Sequence, residues 1–207
     1  MTPMSADGME LNPAAVPALA KHLTDTGSHG IWLNGTSAEY ASLTLSEKKA
    51  SIDAWMATDE VKSGKLRLIS HVGSNSLVEC IELAKYSASK NVDAVAVICP
   101  SYFKPSNEQQ IADWIVAVAR SIPSTPFFYY HIPRFTGVDG QVHRILSLAR
   151  EASPNVVGCK FTDNRFDDVN LCVSKGFNVL VGADTMLVGS LLHGAHGSVP
   201  IGCHFAG

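Results

Sequence analysis

Seven short apolar runs punctuate the chain: GIWLNG (30–35), LRLISHVG (66–73), DAVAVICP (93–100), PFFYYHIP (126–133), VVGCKFT (156–162), NVLVGAD (178–184) and GSVPIG (197–202). Each closes on Gly, Pro or a small polar residue, and each suits a buried strand better than a helix. Helical periodicity fills the gaps. Asn12-Pro13 offers a cap and a first-turn proline, and LSEKKASIDAWMA (45–57) reads as a second helix. In SLVECIELAKYSASK (76–90), Leu77, Cys80, Leu83 and Ala84 form one stripe while Glu79, Glu82 and Lys85 lie elsewhere. EQQIADWIVAVARSI (108–122) and GQVHRILSLARE (140–151) repeat the form.

Strand and helix alternate without a composition break, which predicts parallel strands joined by crossover helices in one domain. Repeats of roughly 20 to 30 residues fit a (β/α)8 TIM barrel better than an open doubly wound sheet. No Gly-rich phosphate turn follows the first run, as an open sheet of that kind would usually show. A closed barrel needs eight strands, and seven are visible. Met1-Thr2-Pro3-Met4 leaves no room for a strand before the first helix, and Gly207 follows directly on the last run. The expectation is a single incomplete barrel domain over 1–207, lacking the first strand and the last helix.

Composition narrows the function classes. Apolar residues make up 46% and charged residues 17%, which argues for a packed core over disorder. A net charge of −3 without a basic run gives no attraction to nucleic acid. Cys80, Cys99, Cys159, Cys172 and Cys203 are scattered without C-x-x-C spacing, as reduced thiols would be. No apolar stretch approaches the 18 or so residues of a membrane helix. A soluble, cytoplasmic protein is expected. The sequon Asn34-Gly35-Thr36 ends an apolar run and is discounted.

The chemistry concentrates in VVGCKFTDNR (156–165), where an apolar strand ends in a cation, Lys160. Alternation puts Gly158, Lys160 and Thr162 on one face and Cys159 and Phe161 on the other. If the first face lines the barrel, desolvation lowers the amine's pKa and a neutral amine can form a Schiff base with a ketone. The plainer alternative is a lysine whose stem lies on apolar surface while its ammonium reaches water. Tyr130 ends the preceding strand, where its phenol can shuttle protons beside an imine. His131 alternates away from Tyr130 and reads as structural. In NGTSAE (34–39), Gly35 permits a tight turn, and the Thr36 and Ser37 hydroxyls with backbone N–H groups suit a carboxylate. His193, His196, Cys203 and His204 in HGAHGSVPIGCH (193–204) do not match a familiar zinc spacing, so no metal site is assigned and the histidines are read as surface or helix-end residues.

Together TPM (2–4), NGTSAE, HVGSNSL (71–77), CPSYFKP (99–105), YYHIP (129–133) followed by TGV (136–138), GCKFTD (158–163) and VGAD (181–184) resemble the dihydrodipicolinate synthase and N-acetylneuraminate lyase superfamily of pyruvate-dependent aldolases, most of all its lyase branch. The resemblance implies a (β/α)8 barrel, usually tetrameric, so a homotetramer is the expected assembly for a complete barrel. It makes Lys160 the Schiff-base lysine, Tyr130 the proton relay, and Thr36 and Ser37 the grip on the pyruvyl carboxylate. Thr162 matches a hydroxyl position beside the lysine. Gly182 and Asp184 match contacts to the sugar-derived chain, and Tyr102 a position that in some members reaches a neighbouring subunit's site. It implies reversible cleavage of N-acetylneuraminate to N-acetylmannosamine and pyruvate, without metal or organic cofactor. Phe135 stands where synthases place an arginine, with Arg134 one position early, which favours the lyase branch.

Three departures stand out. Ala38 replaces a usual glycine, which would strain or shift the carboxylate grip if that glycine serves a positive φ or a close backbone approach. Thr185 replaces a usual glutamate, and Ile201 stands where a serine is usual. Sugar specificity is therefore less supported than pyruvate imine chemistry. Two alternatives stay open: an aldolase or synthase acting on another aldehyde or 2-keto acid, and a non-catalytic truncated barrel.

Overall fold

The computed structural model describes residues 1–205, so the last two residues of the 1–207 span lie outside it. The elements run α1 (Val16–Asp25), β1 (Gly30–Leu33), α2 (Leu45–Met56), α3 (Asp59–Lys62), β2 (Arg67–His71), α4 (Leu77–Ser89), β3 (Ala94–Ile98), α5 (Glu108–Ala119), β4 (Phe127–His131), α6 (Pro133–Thr136), α7 (Val142–Ala152), β5 (Val156–Phe161), α8 (Phe166–Ser174), β6 (Asn178–Val181), α9 (Leu187–Leu192) and β7 (Gly197–Ser198). Every apolar run of the sequence holds one strand. The strands form a single sheet in chain order, β1 to β7, with every pairing parallel. Such an order needs a crossover between each pair of neighbours, which the helices supply. The result is a seven-stranded parallel part-barrel. Among the described residues, the only pairing before β1 is a Met4–Leu11 bridge, and a 3-10 turn at Gly202–His204 follows β7.

Local signals place the helix ends. Thr44 and Glu47 form a reciprocal capping box at the start of α2, and Ser76 and Asn107 cap α4 and α5. The Asn12 cap expected for the first helix is absent: its side chain makes no capping bond, and Pro13–Ala15 is a 3-10 turn leading into α1. The helices α8 and α9 fill the last two gaps between the runs.

Two apolar clusters divide the molecule. The larger lies between sheet and helices and takes Val95, Val97, Phe127, Tyr129, Cys159 and Phe161 from the strands. Phe127, Phe161 and Phe177 are fully covered there; burying such a ring stabilises by about 1.5–3 kcal/mol. The smaller lies inside the part-barrel and takes Trp32, Ala94, Ala96, Ile98, Phe128, Tyr130 and Ile132. The expected alternation therefore holds on β4 and at the end of β5. At the start of β5 the register with β4 slips between Phe127 and Phe128, leaving Val157 without an opposite residue. Gly158 is obligatory just beyond the slip, since a Cβ there would strike the Asn178 backbone.

The cysteines Cys80, Cys99, Cys159 and Cys172 are free and buried, and Cys203 is free and half-buried. Among the described residues, no helix is long and apolar enough to cross a membrane.

Candidate active site

Lys160 and Tyr130 are register partners on β5 and β4, both facing the inside of the part-barrel. Lys160 is 7% exposed. Its amine lies 4.7 Å from the centre of the Tyr130 ring and 5.0 Å from the centre of the Trp32 ring. Among the described residues it has no hydrogen-bonded or ion-paired partner, so burial alone acts on it and brings its pKa down to about 8. This burial counts against a lysine laid along open apolar surface.

Beside the lysine, Gly182 opens the space that the amine needs. A Cβ there would lie 2.9 Å from Lys160 Cε and would collide with Thr162 Oγ1. Thr162 Oγ1 is buried without a partner in hydrogen-bonding geometry, though it lies close enough to favour ionisation of the Tyr130 phenol. Burial pushes that phenol up, and the hydroxyls of Thr36 and Thr162 oppose the push. Tyr130 is therefore a proton donor at neutral pH, hydrogen-bonded to Thr36 Oγ1 at 3.0 Å.

Thr36 begins a short 3-10 turn with Ser37 and Ala38, at the mouth of the part-barrel after β1; Thr36 is half-buried and Ser37 exposed. The left-handed residues of this loop are Asn34 (φ 56°) and Glu39 (φ 55°). Ala38 is not among them, so its methyl group brings none of the positive-φ strain expected of it. Left-handed asparagine is comparatively tolerated, whereas left-handed glutamate carries a cost. Asn34 is fixed from below: its carbonyl accepts from His71 Nδ1 at 2.6 Å. A carbonyl only accepts, so Nδ1 carries the proton and Nε2 keeps a lone pair, buried and unpartnered. Burial holds the His71 pKa down at about 3, with the charges of Lys48 and Lys160 also lowering it. Asn34 is fully buried, which confirms the sequon as unusable in the folded chain.

The remaining candidates stand apart. Asp184 is exposed, and its Oδ1 accepts from the Gly202 backbone N–H at 2.8 Å, tying the loop after β6 to the turn after β7. Thr185 and Ile201 are exposed in those two segments. Tyr102 is 78% exposed after β3 and packs edge-on against the exposed Phe103 at 4.9 Å. Arg134 and Phe135 are both exposed on α6.

Several site neighbours escaped sequence reasoning. Trp32 lay unremarked in the first apolar run, although it shares an alternation face with the end of that strand. His71, Lys48 and Tyr40 are brought together only by folding: Tyr40 stands edge-on to His71 at 4.7 Å, and Lys48 Nζ lies 5.5 Å from the Tyr40 ring centre. His131, on the outer face as expected, meets Asp139 and Asp163 in an arrangement close enough to ligate a cation. Arg165 already fills that space. Its Nε donates to Asp163 at 2.7 Å, and its Nη2 donates to Asp139 at 2.7 Å and to His131 Nε2 at 3.1 Å. His193 ends α9 and stacks on Phe166, and His196 is exposed. The half-buried His204 lends its carbonyl to His22 Nε2.

A surface groove of about 490 Å³ opens at the opposite end of the strands between Asn91–Val92 and Ser121–Pro126. No buried charged group lines it, in contrast to the inside of the part-barrel, where Lys160 lies.

The known proteins that this chain resembles carry the same architecture. It is 37% identical to N-acetylneuraminate lyase A of Xenopus laevis over 202 residues, covering 96% of this chain and 65% of that protein. It is also 37% identical to the N-acetylneuraminate lyase of Gallus gallus over 205 residues, with the same two coverages. The chain thus spans about 65% of the length of the curated relatives it matches. Among solved structures, a Proteus mirabilis N-acetylneuraminate lyase superposes with a TM-score of 0.92 at 29% identity, covering 99% of this chain and 69% of that one. A dihydrodipicolinate synthase from Cyanidioschyzon merolae with lysine bound superposes at 0.89 and 32% identity, covering 100% and 69%. With residues 1–207 matching that family throughout, the chain belongs to the dihydrodipicolinate synthetase family.

Proposed function

We propose that the chain performs class I aldol chemistry on pyruvyl substrates, with Lys160 as the imine-forming lysine and N-acetylneuraminate as the substrate. The observation that carries this reading is the Lys160 amine: buried, without an acceptor, and lowered to about 8 beside the Tyr130 phenol. An amine in that state is a nucleophile near neutral pH. Its lone pair adds to the C2 ketone, the new C–N bond forms, and the carbonyl oxygen becomes a hydroxyl. Tyr130 gives that hydroxyl a proton, water leaves, and an iminium remains. The Tyr130 phenolate then takes the proton of the C4 hydroxyl. The C3–C4 pair flows into the iminium, which releases N-acetylmannosamine and leaves an enamine. Protonation at C3 and hydrolysis return pyruvate and the free amine.

Thr36 holds Tyr130 through its hydroxyl bond and, with Ser37, receives the substrate carboxylate at the turn after β1. Thr162 borders the lysine, Gly182 and Asp184 are the contacts to the sugar-derived chain, and Tyr102 reaches towards a neighbouring subunit's site. The lyase reading over the synthase reading rests on the named relatives from Xenopus laevis and Gallus gallus. A second reading, the same imine chemistry with a different aldehyde, is favoured by the sugar side. There Asp184 is already engaged by Gly202, and Thr185 and Ile201 offer no carboxylate.

Intact mass after incubation with pyruvate and borohydride tests the proposal. A reduced pyruvyl adduct on the wild type, absent from Lys160→Ala, is the expected result. Folded protein without an adduct would overturn it and leave a non-catalytic barrel. Pyruvate offered with N-acetylmannosamine or with other aldehydes then separates the two readings.

A further inference from the structure

Lys160 raises a problem of charge. Its nitrogen is cationic twice in the proposed cycle, as ammonium and as iminium, yet no carboxylate faces it. The titratable side chains around it are Tyr130 on β4 and His71 on β2, whose pKa the Lys160 charge lowers further. From β1 comes Trp32, from β6 Leu180, and just past the ends of β5 and β6 come Thr162 and Gly182, all uncharged. A bare cation in so apolar a setting is costly.

We propose that Trp32 is a positioning residue for the imine step, its indole face holding the Lys160 nitrogen in both cationic forms. The proposal rests on the imine reading above. The Lys160 amine lies 5.0 Å from the ring centre, within the range over which a tryptophan face attracts a cation. The indole is 9% exposed and is wedged edge-to-face against Tyr130 at 5.5 Å and Phe128 at 6.5 Å. The backbone makes room for it: a Cβ at Gly35 would lie 2.9 Å from the indole Cδ1. Its Nε1–H has no hydrogen-bond partner, so packing and not a hydrogen bond sets the ring's orientation. A buried donor left unpaired is a cost that an aliphatic side chain would avoid. Tyr130 also presents a face to the amine, but its phenol exchanges protons during the reaction. Trp32 does not titrate, so its attraction is constant throughout the cycle.

The test is pyruvate–borohydride trapping across pH with wild type, Trp32→Leu and Trp32→Phe. Removing the π face in Trp32→Leu is expected to lower the pH midpoint of trapping by about half a unit and to cut the trapped fraction at subsaturating pyruvate about threefold. Trp32→Phe should restore most of both. A purely structural role would lower the melting temperature without moving the midpoint. Should Trp32→Leu fail to fold, wild-type sequence carrying progressively fluorinated tryptophan decides the matter, since Trp55 and Trp114 lie outside the inner cluster. A stepwise fall in midpoint supports the proposal and a flat series overturns it. A wild-type midpoint and yield in folded Trp32→Leu also overturn it, leaving the imine reading intact. A folded wild type that forms no adduct overturns both.

Discussion

Two lysines of this chain are nearly equally covered, Lys48 at 6% exposure and Lys160 at 7%, yet their surroundings give them different work. Lys48 Nζ donates to the Gly73 carbonyl at 3.2 Å, and the Lys48 carbonyl accepts from Asn34 Nδ2 at 3.4 Å. Burial lowers its pKa while the Glu79 carboxylate opposes the shift. Lys48 is a strut: it holds the segment after β2 against α2, under the loop that carries Thr36. Lys160 has neither acceptor nor carboxylate, only aromatic faces and the gap kept open by Gly182. Burial lowers the pKa of both amines, and at Lys160 no acceptor or carboxylate opposes the shift.

The largest effect expected from disturbing this contrast comes from Gly182→Ala. The added Cβ occupies the position of Thr162 Oγ1 and crowds Lys160 Cε, so the amine must move. Displacement of about 1 Å at a reacting atom costs up to about a hundredfold in rate. A fall of tenfold or more in the rate of pyruvate trapping, with the melting temperature changed by only a few degrees, is the expected outcome. Trapping at the wild-type rate would show that Lys160 tolerates crowding.

Next comes a pair with opposite signs. Lys160→Met removes a cation that folding buries without an acceptor or a carboxylate and is expected to stabilise the protein by about 1–3 kcal/mol at neutral pH. Lys48→Met removes a donor from a buried carbonyl and is expected to destabilise it by about 1 kcal/mol. Denaturant melts of the two variants check both signs. If both variants shift in the same direction, the distinction between a bonded and an acceptor-free buried lysine fails.

The smallest effect is on pH dependence. In the folded chain the Lys160 amine titrates at about 8, against an ordinary 10.5 when unfolded. Between those values the unfolded chain binds more protons, so stability rises with pH across that window. The advantage of Lys160→Met over wild type should therefore shrink from pH 8 towards pH 10.5. Parallel melting curves at pH 7.5 and 9.5 measure the convergence.

Much of this was legible in the linear chain. Each apolar run became a strand because its length and its Gly, Pro or polar ending admit little else. Alternation sent Cys159 and Phe161 to the helices and Lys160 inward, because neighbouring side chains on a strand must point to opposite faces. Tyr130 could be set against Lys160 from the same rule, since both end adjacent parallel strands. What alternation could not provide was the company each side chain keeps. The slip at Val157 depends on how β4 and β5 fit together. The Asn34–His71 bond joins residues 37 positions apart, and no local pattern announces it. Ala38 appeared as a threat because the turn's dihedral angles are invisible in sequence; the left-handed residues proved to be Asn34 and Glu39.

Sequence by itself determined the parallel strand–helix alternation, the inward lysine and the family motifs, all of which rest on local periodicity and spacing. Tertiary structure alone decided that Lys160 has no acceptor and lies against the Trp32 face, that Lys48 is bonded to Gly73, and that Arg165 occupies the space among His131, Asp139 and Asp163. The physical reason is one of range. Backbone periodicity is set by neighbours a few residues away, whereas desolvation, hydrogen-bond satisfaction and π contacts depend on groups that only folding brings within about 5 Å.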